Sequence, residues 1–555
     1  MARVGRILGA AGWLLSASPA AYAQPPAQGL PQVPAAVVAD ATARCAALQG
    51  EAMVARYAKL QDAPTGINTA RVMPAGGSHG PADDDLPEYC RVEGTIAPSI
   101  GFLLRMPTKA WNGRFVMGGC GGPCGNYLED RIDHALVRNY AVVTTDMGHK
   151  GNGWLFAYNN LQGQTDFAYR ATHLTAVVAK QIVADYYGRP ADFNYFAGCS
   201  TGGRQALIEA QRFPTDFNGI LAGAPVYDEI GDTPYFLEWN NLVDTGPDGR
   251  SILGRDMLPG LHKAVLSACD GLDGLKDGII QDPQKCRFDP KTIICKPGAA
   301  ATGFCLTPDQ AVVVQKFHDG ARNAKGEALY FGMPWGSEEQ WTLFIGADGR
   351  QHWPNGTSIT GYMGFERSPG PGYKITEFDY DRDPARLDMP GVIQNPVNPD
   401  LSRFRKAGGK LILYHGWNDN NIPTEASVEY HKSAELANGG PAATRQFFRL
   451  FTPPAINHCR GGEGGGEIDW LSAIEGWVEK GQAPDAVVAY RPAKPYPTAP
   501  RAPEDYGQTY SKFGRHPLAR SYYDTARPVY AYPETARYLG KGDPADAASW
   551  GPAAR

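Results

Sequence analysis

Apolar positions along the chain fall into two alternating rhythms. Short runs at Ile100 to Met106, Arg114 to Met117, Tyr140 to Thr145 and Phe193 to Ala197 have the length and composition of buried strands. Between them Leu174, Val177, Val178, Ile182 and Tyr186 recur at helical spacing, which predicts an amphipathic helix over His173 to Tyr187 packed on a sheet. Gly203 to Arg212 reads as the next helix. Such alternation predicts an α/β fold with a mostly parallel sheet flanked by helices. The rhythm stops near Tyr227 and returns with a strand at Lys410 to Tyr414, a helix near Glu425 to Ala437 and another over Asp469 to Glu479. Residues 227–405 are rich in Gly, Pro, Trp and Asp and too long for a simple loop, so they are expected to form an inserted lid domain. The core is then split into 24–226 and 406–555, and the Pro/Tyr/Arg-rich tail beyond Ala489 is expected to wrap the surface.

Composition narrows the class. Gly (66) and Pro (45) make up one residue in five of the 555, so much of the backbone is turn and loop, while 43% hydrophobic residues suffice for a large core. A net charge of −5 implies no nucleic-acid partner. Arg3 and Arg6 precede the apolar run Ile7 to Leu15, and Ala21-Tyr22-Ala23 supplies a small-x-small cleavage pattern; residues 1–23 therefore read as a secretory signal peptide. The run is too short for a membrane anchor, since a span takes about 20 residues, and no later segment is long enough. A Pro/Ala-rich spacer (Gln24 to Ala36) follows. Secretion or periplasmic export makes the ten cysteines, an even number, candidates for up to five disulfides.

The strongest local signal is Gly198-Cys199-Ser200-Thr201-Gly202-Gly203, set between a strand and a helix. Gly-x-Ser-x-Gly in that setting is a nucleophile elbow: a turn so tight that only small residues fit two positions either side of the serine. The serine hydroxyl then stands at the C-terminal edge of the sheet, and the Thr201 N–H can face a developing oxyanion. A serine needs a base and an orienting acid, in the chain order Ser, Asp/Glu, His on this architecture. Asp419 is the good acid after the insertion. His458 follows it by 39 residues and fits the order; His415 precedes it and reads as a brace at a strand end. Cys199 adjoins Ser200 and Cys459 adjoins His458, so a disulfide between them can hold nucleophile and base in register.

These residues resemble the tannase and feruloyl esterase family of α/β-hydrolases. The likeness rests on Gly198 to Gln205, on His415-Gly416-Trp417-Asn418-Asp419 and on His458-Cys459-Arg460-Gly461-Gly462, with weaker matches at Asp146 to His149, Phe378 to Asp381 and Arg527 to Tyr538. The resemblance implies the Cys-Ser, Asp, His-Cys arrangement with its bridging disulfide, and an α/β-hydrolase core with a large inserted lid. It also implies a structural calcium ion held by Asp270, Asp273 and Asp277 with the main-chain oxygens of Leu275 and Ile279. By residues alone a Gly-interleaved acidic turn is more often a solvated loop. Cys269 and Cys286 bracket the turn and are expected to close it; Cys295 with Cys305 and Cys45 with Cys90 are the other expected pairs. The sequence departs from the family in lacking a C-terminal cysteine pair near Tyr530 and Trp550, and in carrying Cys120-Gly-Gly-Pro-Cys124. That turn resembles the segment supplying a second oxyanion donor, near Gly121. A Cys120 to Cys124 bridge would stiffen it, the weaker alternative being a metal or redox pair.

The expected function is that of a secreted serine esterase acting on small-molecule esters of phenolic or aromatic acids through an acyl-enzyme. A terephthalate-monoester hydrolase of the same family, a serine peptidase on the same fold and a non-catalytic binding protein are the alternatives. Neither the aromatic acid, the alcohol nor the oligomeric state is legible.

Overall fold

A nine-stranded sheet carries the site. The computed structural model describes residues 39–76, 86–296, 304–345, 359–492 and 523–553, so the expected signal peptide and spacer lie outside the described residues. In chain order the strands are β1 (Thr65–Met73), β2 (Tyr89–Ile96), β3 (Ile100–Pro107), β4 (Arg114–Gly118), β5 (Ala141–Thr145), β6 (Phe193–Cys199), β7 (Gly219–Gly223), β8 (Lys410–Tyr414) and β9 (Phe448–Phe451). They stand in the spatial order β1-β2-β3-β5-β4-β6-β7-β8-β9. β1, β2, β3 and β5 pair antiparallel, whereas β5, β4, β6, β7, β8 and β9 pair parallel. The parallel strands are buried along their length because helices cover both faces. Helix Ala171–Tyr187 buries Leu174, Val178, Ile182 and Tyr186 against the sheet, and Trp470–Lys480 buries Leu471, Ile474 and Trp477 on the other core cluster.

Four strands are not among those predicted. In β1 a bulge between Ile67 and Thr69 interrupts the alternation; β2 does alternate, with Cys90, Val92, Gly94 and Ile96 buried between half-exposed Arg91, Glu93 and Thr95; β7 is bounded by Gly219 and Gly223, and β9 carries Arg449. In the described part of the tail Ala486–Pro492 pairs antiparallel with Tyr523–Tyr530, and Ala536–Tyr538 with Trp550–Pro552, so backbone pairing fastens it.

The main sheet leaves off at Gly223 and resumes at Lys410. Among the described residues between them are helices Leu258–Cys269 and Pro308–Asp319 and short turns of helix, with no strand of that sheet. The second helix starts at a capping box, Thr307 and Gln310 each accepting from the other's backbone N–H. All ten cysteines pair: Cys45–Cys90, Cys120–Cys124, Cys199–Cys459, Cys269–Cys286 and Cys295–Cys305. No thiol is left at Cys120 or Cys124 for a metal. Among the described residues no helix is long and apolar enough to cross a membrane.

Candidate active site

β6 delivers Ser200 to the sheet edge, and helix Thr201–Arg212 leaves at once, two residues before the helical pattern predicts. Ser200 has φ 88° and ψ −113°, a conformation that a residue with a Cβ adopts only under constraint. The constraint is steric. A Cβ on Gly198 would lie 2.6 Å from the Gly202 carbonyl oxygen, and one on Gly202 would lie 2.8 Å from the Cys120 oxygen. Strand, helix and the preceding Gly-rich turn therefore meet backbone to backbone, and the Ser200 N–H donates to Gly223 O at 3.0 Å.

The hydroxyl of Ser200 meets His458 Nε2 at 2.9 Å, and His458 Nδ1 meets Asp419 Oδ2 at 2.6 Å. With a proton on Nδ1 donated to the carboxylate, Nε2 presents its lone pair to the serine. Asp419 is wholly buried, yet its oxygens are saturated: Oδ1 accepts from the Asn421 and Ile422 N–H groups at 2.8 and 3.1 Å, and Oδ2 also faces His415 Nε2 at 3.1 Å. Burial alone would push this carboxyl up, but His458 and His415 outweigh it and hold it well below the usual carboxylate range. His415 is more than a strand-end brace. Its Nε2 faces both Asp419 and the Ile422 carbonyl, two acceptors, so the proton resides there, while Nδ1 lies 2.8 Å from the Ser427 hydroxyl. The spacing of His415 and Asp419 along the chain gave no sign of this contact, because it depends on the loop turning back over β8.

The Cys199–Cys459 bridge joins residues 260 apart, with Cα atoms 6.1 Å apart. Cys459 has φ 66°, in the left-handed region, so the histidine loop is held in an unfavoured conformation next to His458.

The turn from Gly118 to Gly125 is fastened from several sides. Gly119 N–H donates to Ala197 O at 2.8 Å, and Cys120 N–H to Gln205 Oε1 at 3.1 Å. Thr201 Oγ1 donates to Gly122 O at 2.8 Å, and His149 Nε2 lies 2.7 Å from Pro123 O. Gly121 N–H, the next in line, has no acceptor among the described residues. Gln205, Thr201 and His149 acquire these roles only in three dimensions. So does Arg204, fully buried in helix Thr201–Arg212: its Nε lies 3.1 Å from Glu229 Oε2 and its Nη1 3.1 Å from Gln394 O, tying residues near both ends of the segment between β7 and β8 to the helix that follows Ser200.

The aspartate turn lies at the end of helix Leu258–Cys269 and is closed by Cys269–Cys286. Asp270 Oδ1 accepts from Gly278 N–H at 3.1 Å, Asp273 Oδ1 from Leu275 N–H at 3.0 Å, and Asp277 Oδ1 from Ile279 N–H at 3.2 Å. The Leu275 and Ile279 carbonyls accept no hydrogen bond among the described residues. Asp273 Oδ2 is buried with no partner, and the carboxyl is pushed up to about 6 by burial and, beyond that, by its neighbours Asp277 and Asp270. An orphaned buried oxygen among like charges fits a cation. Arg527 from the tail reaches Asp277 Oδ2 and supplies part of the compensating charge.

Known proteins share this arrangement of chain. Residues 86–553 match the family model described as tannase and feruloyl esterase. An uncharacterized esterase of Xanthomonas campestris pv. campestris is 32% identical over 87% of this chain and 88% of its own. A mono(2-hydroxyethyl) terephthalate hydrolase of Piscinibacter sakaiensis is 31% identical over 82% of this chain and 83% of its own. The crystal structure of feruloyl esterase B from Aspergillus oryzae superposes with a TM-score of 0.77 at 26% identity, covering 92% of this chain and all of that one. With its mostly parallel sheet and flanking helices, the chain belongs to the tannase and feruloyl esterase family of α/β-hydrolases and is a carboxylic ester hydrolase.

Proposed function

We propose that this protein is an exported serine esterase that cleaves esters of phenolic or aromatic acids. The observation that carries the reading is the hydrogen-bonded line from Ser200 Oγ through His458 to Asp419 at 2.9 and 2.6 Å. His458 Nε2 takes the Ser200 proton as Oγ attacks the ester carbonyl, and Asp419 keeps the imidazole in the required tautomer and stabilises its charge. The Thr201 N–H, in the first turn of its helix, and the Gly121 N–H receive the oxyanion, each donor being worth about 10²–10³ in rate. The alcohol leaves with the proton from His458; water then attacks the acyl-enzyme, His458 again acting as base. Five disulfides agree with an oxidising compartment. Calcium would be held by Asp270, Asp273 and Asp277 with the Leu275 and Ile279 carbonyls. Its part is structural, offsetting the carboxylate charge of the inserted segment.

A fluorophosphonate probe and a substrate panel test this reading. Wild type should label and Ser200→Ala should not; undiminished labelling of Ser200→Ala would refute the serine's role. Hydrolysis of methyl gallate, methyl ferulate, chlorogenate and mono(2-hydroxyethyl) terephthalate ranks the acyl groups. The similarity to a terephthalate-monoester hydrolase favours including the last as a second reading. Activity confined to aliphatic esters or peptides would overturn the aromatic-acid claim.

A further inference from the structure

Outside the active site, three side chains meet that no step of ester cleavage uses. His173 lies on helix Ala171–Tyr187, Glu209 near the end of helix Thr201–Arg212, and Asp216 in the loop leading to β7. One ring nitrogen of the histidine and one oxygen of each carboxylate all lie within 4.8 Å of one another. His173 Nδ1 is 2.6 Å from Asp216 Oδ2. Glu209 is completely buried, and neither of its oxygens meets a donor group: the side chain facing it is the Asp216 carboxyl. Both carboxylates are acceptors, so only a proton or a cation can mediate between them. Leaving a buried carboxylate unmatched is among the costliest arrangements a fold can hold.

We propose that His173, Glu209 and Asp216 form a binding site for a first-row divalent cation, zinc foremost. One imidazole nitrogen with two carboxylate oxygens is a donor set for such ions rather than for calcium, which takes six to eight oxygens. The surroundings are built to orient the ligands. The His173 ring stacks on Phe213 at 3.8 Å and 8°, and Lys180 Nζ donates to the Asp216 main-chain oxygen at 2.8 Å. Lys180 lies 3.7 Å from Asp216 Oδ1, which leaves Oδ2 for the ion and lowers the net negative charge there. The His173 side chain is 27% exposed and gives the ion access from solvent. Binding moves the imidazole proton from Nδ1 to Nε2. Glu209 stands nine positions beyond Ser200 along the helix, about 13 Å of rise, so the site is distinct from the triad. Its effect would be to clamp the far end of the serine's helix to the helix beside it.

The test uses the mature, tag-free protein, stripped with chelator, returned to excess calcium and titrated with Zn²⁺ by calorimetry and with Co²⁺ by visible absorption. One saturable site per chain is expected, with Co²⁺ bands. His173→Asn and Glu209→Gln should each weaken it at least about 10–100-fold, the loss seen even for outer-shell partners. Asp273→Asn, in the aspartate turn, should leave it unchanged. His173→Asn changes a part-exposed side chain, so folding survives. Absence of saturable Zn²⁺ and Co²⁺ binding in wild type, or equal binding in both variants, overturns the proposal and leaves Glu209 and Asp216 sharing a proton.

Discussion

Asp419 and Asp273 are both buried aspartates on loops, and the two loops solve the problem of a buried carboxylate in opposite ways. Around Asp419, two backbone N–H groups and two imidazoles converge, so the charge is matched by the protein itself and the carboxyl is held below the usual range. Around Asp273 the donors run out. Leu275 N–H serves one oxygen, the other is orphaned, and two further aspartates stand nearby. A loop that completes its own hydrogen bonds keeps one geometry, as an orienting acid must. A loop that leaves them incomplete keeps room for a ligand.

The largest expected effect breaks the self-sufficient side. In Asp419→Asn the amide cannot accept from both imidazoles and both backbone N–H groups, so His458 is left in the wrong tautomer. Single-turnover acylation of an aromatic ester should fall about 10⁴-fold with little change in KM. The sign of the pH effect follows. The folded value of Asp419 lies below its ordinary 3.8, so ionised Asp419 stabilises the fold above about pH 4, and that contribution is lost as pH falls below it. Acid unfolding followed by tryptophan fluorescence should be displaced in the variant, and an unchanged acid limb would contradict this account.

Removal of the bridge comes next. Cys199→Ser with Cys459→Ser should cost about 2–4 kcal/mol in denaturant midpoint experiments. It should also lower kcat more than it raises KM, because the left-handed Cys459 next to His458 loses its anchor. Full activity together with full stability would show that the histidine loop holds itself.

The smallest effect sharpens the other side. If the aspartate turn depends on a cation, chelation should lower Tm by a few degrees, and added Ca²⁺ should restore it while leaving Ser200 labelling intact. Asp273→Asn removes the orphaned charge, so it should abolish the calcium response of Tm. A response that persists in Asp273→Asn would place the calcium elsewhere.

Legibility tracked the range over which each residue acts. The strands from Ile100 to Cys199, the helix Ala171–Tyr187 and the elbow at Ser200 are written in local periodicity and in small residues at fixed spacing, and so could be read directly. The strands Gly219–Gly223 and Phe448–Phe451 are broken by terminal glycines and by Arg449, and in the edge strand Thr65–Met73 a bulge between Ile67 and Thr69 interrupts the alternation that sets Ile67, Ala70 and Val72 against the core. The tail strand Tyr523–Tyr530 carries Pro528 and reads as loop, because its partner at Ala486–Pro492 is far along the chain.

By itself the sequence determined the alternation of strand and helix, the tight Gly-x-Ser-x-Gly turn at Ser200, the chain order of Ser200, Asp419 and His458, and an even set of cysteines. These follow from local sterics and spacing. Tertiary structure alone decided that His415 shares Asp419 with His458, that Arg204 ties residues near both ends of the segment between β7 and β8 to the helix that follows Ser200, and that Gln205 and Thr201 hold the Gly-rich turn. It also brought His173, Glu209 and Asp216 together. The physical reason is the same in each case. A buried polar group must find its partner wherever the packed fold offers one, and that partner is chosen by proximity in space, which no local pattern records.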